Sequence, residues 1–180
     1  MNKNWLVINV NKNYFLKVGN KAFRCQIGEG GIKNASKKVE GDKTTPIGKW
    51  YLEKLYYRPD RILRPKFKKK NILKVSRITR HCGWCDDIRS LYYNKYINII
   101  NFPSLKINYE RLWREDNAYD IIIVISHNTN PTFKNKGSAI FIHCSFEDLR
   151  PTSGCIALKK EDLIFLIKNI RDKVYIKIKK

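Results

Sequence analysis

"YDIIIVISHN", Tyr119 to Asn128, and "SAIFIHC", Ser138 to Cys144, decide the fold class of this chain. Each is a short run of apolar, largely β-branched residues bounded by polar or glycine-bearing segments, the pattern of a strand buried on both faces. Toward the N-terminus, "WLVINV", "YFLKV" and "AFRCQIG" are further short strands, separated by "NKN" and "GNK", which favour hairpin turns. "GEGG" (Gly28 to Gly31) ends that meander, and the polar loop in "EGDKTTPIGKWYLEKLYY" leads into a strand over Lys49 to Tyr57. Toward the C-terminus, "KKEDLIFLIKNI" places Leu163, Leu166, Ile167 and Ile170 on one helical face, and "VYIKIKK" alternates as a last strand. Between Arg58 and Asn117 periodicity is weak and long connections are expected. The best helix there is "SLKINYERLWRED", with Ser104 or Asn108 as its cap. No repeat or linker divides the chain. Residues 1–180 are expected to form a single mainly β domain with one or two helices.

The net charge of +21 attracts polyanions, so nucleic acid, anionic wall polymers and membrane surfaces come into view as partners. Lys, Asn and Ile abound along the whole chain, as an A- and T-rich genome produces. The one dense run, "RPKFKKKNILK" (Arg64 to Lys74), reads as a solvated loop. No zinc-finger spacing, RNP-type aromatic motif or heptad array accompanies it, so no specific nucleic-acid recognition is expected. The apolar runs end well before the ~18 to 20 residues of a membrane span. "MNKNWLVINVNKNYF" lacks the apolar core and small-residue cleavage site of a signal peptide, so neither leader nor transmembrane anchor is expected. Five unevenly spaced cysteines suggest no disulfide framework, and reduced thiols in a cytoplasm-like compartment are the default.

His143 ends "AIFIHC", and Cys155 in "RPTSGCIAL" follows 155 − 143 = 12 residues later. A thiol titrates near pKa ~8.5, so a cysteine nucleophile needs a base, which a strand histidine facing it supplies. Strand alternation puts Phe141 and His143 on one face and Ile142 and Cys144 on the other, which makes Cys155 the partner rather than Cys144. Gly154 permits a tight turn whose N–H groups could hold an oxyanion. On these residues alone two readings stay open: a small core cysteine beside a satisfied histidine, or a nucleophile and its base. In "HCGWCDD", Cys82-x-x-Cys85 with His81 and Asp86 could be a metal site, a redox pair or a cleft wall; with no second ligand pair, no metal is expected. His127 reads as a strand-end polar group, and Asn128 as a substrate contact.

"IHCSFEDLRPTSGCIAL" resembles the active-site signature of the YkuD-type L,D-transpeptidases, a histidine followed by a Ser/Thr-x-Gly-Cys turn. "GDKTTPIGKWYL" (Gly41 to Leu52) is similar to the family's TP-x-G loop and strand, and "YRPDR", "GWCDD", "YN", "LWREDNAYD" and "GSAIFIHC" resemble an ordered set found in one subgroup. The resemblance runs from about Gly28 to Leu163. It implies a bacterial β-sandwich-like catalytic domain without a cofactor, acting on peptidoglycan stem peptides. Cys155 would attack the carbonyl between the third residue of the stem and D-alanine, and an amine or water would resolve the thioester. His143 would carry the proton, oriented by a backbone carbonyl, with Gly154 and Cys155 N–H groups at the oxyanion. Thr152, Ser153, Arg150, Trp84, Asp86 and Asn128 would contact substrate.

Two departures stand out: Thr152 replaces a common Ser, and Ala157 replaces a common Arg. That arginine's role would pass to Arg58, Arg61, Arg80 or Arg150. The family's substrate places the enzyme in the cell envelope, whereas the lack of a leader keeps a cytoplasmic location open. A hydrolytic L,D-carboxypeptidase or endopeptidase, and a basic polyanion-binding module without chemistry, are the alternative functions.

Overall fold

A computed structural model of the chain describes residues 5–10, 14–18, 20–67, 73–102, 106–170 and 175–179. The strands are β1 (Trp5–Val10), β2 (Tyr14–Val18), β3 (Lys21–Gln26), β4 (Ile32–Asn34), β5 (Thr45–Tyr57), β6 (Lys74–Arg77) and β7 (Cys82–Cys85). They continue as β8 (Tyr96–Asn98), β9 (Tyr109–Arg111), β10 (Ile121–Ile125), β11 (Phe141–Cys144), β12 (Ile156–Leu158) and β13 (Tyr175–Lys179); helix α1 (Lys160–Asn169) lies between the last two.

The mainly β expectation is met, with α1 the single α-helix among the described residues. Hydrogen-bonded neighbours run β10–β11–β12–β3–β2–β1–β13–β5, and β5 pairs again with β10, so the path closes on itself. Closure depends on two strands that serve both halves. β3 pairs with β2 through Lys21 to Arg24 and with β12 through Cys25 and Gln26. The 13-residue β5 pairs with β13 through Gly48 to Tyr51 and with β10 through Leu52 to Tyr57.

Two cores result from the strict alternation of β10. Ile121, Ile123 and Ile125 face one side with Leu16, Leu55, Ile142 and Cys144, where α1 adds Leu163, Leu166 and Ile167. Ile122 and Val124 face the other side with Tyr56, Ile78, Leu112, Phe141 and Cys155. Burying each of these large side chains contributes roughly 1.5–3 kcal/mol, so a strand apolar on both faces holds both layers to one sheet. The helix takes its orientation from the same core, with Glu161 and Asp162 in its first turn and Lys168 in its last opposing the helix dipole.

The middle third differs from expectation. Tyr109–Arg111 is not helical; it pairs antiparallel with β7, which also pairs with β8, giving a separate three-stranded sheet. Helix propensity there is a weak preference, and pairing with β7 satisfies the same backbone groups. Ser104 lies outside the described residues, and the Asn108 N–H goes to the Asp87 carboxylate. β5 begins at Thr45, four residues ahead of the expected Lys49, because β4 pairs alongside Thr45 to Ile47. Residues 68–72 of the basic run are outside the described set. No helix among the described residues is long and apolar enough to cross a membrane.

Candidate active site

β11 and β12 are parallel, with His143 level with Ala157 and Ile142 with Ile156. A parallel pair needs a crossover, and residues 145–155 supply it. Continuing the register by one residue brings Cys155 level with Phe141, whose N–H approaches the Cys155 Sγ at 3.3 Å. The thiol is therefore one strand across and two residues along from His143, roughly 8 Å between Cα atoms from strand spacing and rise. Cys155 shares the Phe141 face, whereas Cys144 lies in the opposite core.

The turn carrying Cys155 is pinned from the distant TP loop. The buried Thr45 hydroxyl donates to Gly154 O at 2.8 Å and accepts from Gly28 N at 2.9 Å. Thr152 closes the turn from inside: its hydroxyl donates to Cys155 O at 2.7 Å and accepts from Gly154 N at 3.1 Å. Gly154 has φ of +131°, and a Cβ there would lie 3.0 Å from Thr44 O. Gly28 is tighter still, since a Cβ would come within 2.2 Å of Lys43 O.

Cys155, His143, Asp86, Arg150, Thr152 and Ser153 all line one cavity of about 580 Å³. Other expected residues lie elsewhere. The Gly154 N–H goes to the Thr152 hydroxyl, so Gly154 shapes the turn. Trp84 is buried in β7 against Phe141, with its indole N–H on Asn94 Oδ1 at 2.9 Å. Asn128 is not on the cavity wall; its amide donates to the Phe133 and Gly137 carbonyls and accepts the Phe133 N–H, which organises its own loop. His127 is buried away from the cavity, edge-on to Trp50 with ring centroids 4.9 Å apart.

Of the four arginines considered for the missing charge, Arg150 alone reaches the cavity. Arg58 is buried on Trp113 and bonded to Asp60, and Arg61 binds Asp120. Arg114 also lines the cavity and was not anticipated. Asp116 holds it in a two-pronged pair, and its guanidinium lies 5.0 Å from the Tyr119 ring centroid. The signal for it was the charge pattern R-x-D within "LWREDNAYD", which reads as an ion pair but not as a cavity wall. Asn94, the Asn of "YN", was missed too. Its side chain accepts from Trp84 Nε1 and from Ala139 N at 3.1 Å, and donates to Asn128 O at 2.7 Å. It thereby ties β7 to the segment leading into β11.

The electrostatics describe a resting pair. Burial pushes the Cys155 thiol up to about 12, with the nearby Glu110 carboxylate adding to the rise. Burial likewise brings His143 down to about 4, opposed by the bond to Cys144 O. The thiol donates to Ala139 O at 3.1 Å instead of to the imidazole. His143 Nδ1 donates to Cys144 O at 2.8 Å, which leaves Nε2 as the basic nitrogen. Tyr119 stands beside His143, rings 5.2 Å apart, and its hydroxyl donates to Glu110 at 2.5 Å. Burial raises both the Glu110 and Asp86 carboxyls, and one oxygen of Asp86 has no partner among the described residues.

Cys82 and Cys85 sit three apart in β7, so alternation sends them to opposite faces and they cannot share an ion or a disulfide. Cys82 instead contacts Tyr96 Oη at 3.1 Å. Among the described residues no three His, Cys, Asp or Glu side chains are grouped to hold a metal.

The mainly β domain thus brings a buried thiol and a buried imidazole to one charged cavity. The family model for the YkuD L,D-transpeptidase catalytic domain matches residues 3–176, and the chain belongs to that family. No curated protein matches the chain.

Proposed function

We propose that this protein is a cysteine L,D-transpeptidase that acts on peptidoglycan tetrapeptide stems through a thioester on Cys155. The observation that carries the reading is the opening of Cys155 and His143, from adjacent parallel strands, into one cavity. The charged rim suits a peptide that carries both amines and carboxylates.

The step follows from the side chains present. With both groups neutral at rest, the thiol is activated only as it attacks. His143 Nε2 takes the proton while the Sγ–C bond forms, and the Cys155 N–H faces the developing oxyanion. Collapse of the tetrahedral intermediate breaks the C–N bond, and the imidazolium returns its proton to the departing D-alanine amine. An incoming amine then attacks the thioester and gives a proton to His143, which passes it back to the thiolate. Arg114 takes over the charge that Ala157 lacks. An arginine at position 157 would project from the His143 level of the sheet, whereas Arg114 reaches the cavity from the wall formed by Glu110 and Tyr119. Incubation with tetrapeptide-stem muropeptides tests the reading through D-alanine loss and 3→3 dimers. Tripeptide without dimer at high acceptor would make water the acceptor.

A further inference from the structure

A second cleft, of about 630 Å³, opens next to the catalytic cavity and is lined by Arg80, Arg111, Trp113, Arg114, Glu115 and Asp116. Arg114 lines both spaces, so the two adjoin. The charges in the second cleft are unevenly matched. Arg114 is paired with Asp116 at 2.5 Å while also facing the catalytic cavity, and Glu115 lies 3.7 Å from Arg61. Arg80 and Arg111 have no carboxylate partner among the described residues, unlike Arg58, Arg61, Arg89 and Arg150, each of which has an aspartate. Trp113 shares the lining, with the Arg58 guanidinium stacked 3.6 Å from the ring centroid and that of Arg80 at 5.3 Å.

Two guanidinium groups without a carboxylate partner among the described residues, in one cleft with an indole, suit an anion on a larger organic ligand. The planar forks bind carboxylate or phosphate through paired N–H bonds, and the Trp113 indole in the same lining reports on what enters.

We infer that this cleft is an anion subsite, taking a carboxylate or phosphate of the ligand whose reacting bond lies over Cys155. The identity of that ligand rests on the transpeptidase reading; the subsite itself rests on Arg80, Arg111 and Trp113. Carboxylates of a stem peptide and phosphates of an anionic wall polymer are the two sources of the anion.

The test uses the full chain and the exposed double variant Arg80→Gln/Arg111→Gln. Titrate each with a tetrapeptide stem and, separately, with pyrophosphate, following the Trp113 indole N–H by NMR, its signal assigned with Trp113→Phe. The expected result is a shifted Trp113 signal in the wild type and binding weakened about tenfold in the double variant. Iodoacetamide alkylation of Cys155 should stay unchanged. Tighter binding of the tetrapeptide assigns the subsite to the stem, and tighter binding of pyrophosphate assigns it to a phosphate polymer. A wild type that binds either probe through Trp113 yet releases no D-alanine leaves the subsite standing while the reaction falls. Equal affinity in both proteins, a silent Trp113 signal, or alkylation that drops in step with binding overturns the inference.

Discussion

Thr45 and Gly154, 109 residues apart in sequence, are joined by a hydrogen bond of 2.8 Å from the threonine hydroxyl to the glycine carbonyl. Because the same oxygen accepts the Gly28 N–H, one side chain locks three segments around the cysteine turn. Thr45→Val keeps the shape and leaves two buried groups unpaired. It should lower stability by about 2 kcal/mol in urea unfolding and reduce turnover at least tenfold. Thr45→Ser should restore most of both. A valine variant as stable and active as wild type would remove the locking role.

Arg114 should matter to substrate more than to folding. It lines the cavity while bonded to Asp116 and near Glu110 at 3.8 Å. Arg114→Gln is expected to raise KM for a tetrapeptide donor about tenfold, with a smaller effect on kcat. Arg114→Lys should recover only part of the loss, because a lysine cannot keep the two-pronged pair with Asp116. An unchanged KM in the glutamine variant would return the missing charge to Arg150.

How much of this was legible in the sequence depended on whether a residue's role is local. β10, β11 and α1 were readable because alternation and the 3.6-residue period are carried by their own side chains. Tyr109–Arg111 was not, since its strand state comes from pairing with β7. The Cys155 and His143 positions came from a short motif whose two ends lie on adjacent strands. Thr45 was invisible as a lock because its partners are Gly28 and Gly154, and nothing in "TTPIG" points to them. Trp84, expected in the cleft from the family-like "GWC" loop, and Asn128, expected there from its place at a strand end, are held elsewhere by packing on Phe141 and by a loop's own hydrogen bonds. Asn94 carried one usable signal, its residue type: asparagine tolerates a left-handed backbone better than most residues, and the structure places it there at φ of +57°.

Acid should destabilise the protein through its two buried histidines. Burial brings His127 and His143 each down to about 4, whereas an unfolded histidine titrates near 6.5. Between these values the unfolded chain binds more protons than the native one. The stability from neutral burial is thus fully present above about pH 6.5 and is lost as pH falls toward 4, by about 3 kcal/mol per histidine. Urea unfolding from pH 7.5 to 4.5 should show uptake of two protons on unfolding, and His127→Gln should leave one. A flat profile across this window would contradict the burial of both rings.

The free thiol should be slow to react near neutrality. With burial pushing Cys155 up to about 12, alkylation by iodoacetamide should keep rising from pH 7 to pH 10 without a plateau. A plateau below pH 8 would mean a preformed thiolate–imidazolium pair, against the bond from the thiol to Ala139 O.

Whether Cys155 carries the acyl group is read by intact-protein mass spectrometry during incubation with a tetrapeptide-stem muropeptide, alongside the release of D-alanine. The expected result is a thioester adduct on Cys155, loss of D-alanine, no reaction in Cys155→Ala, and a fall of about 10²- to 10⁴-fold in His143→Gln. Release of D-alanine by Cys155→Ala at the wild-type rate would rule out Cys155 as the nucleophile.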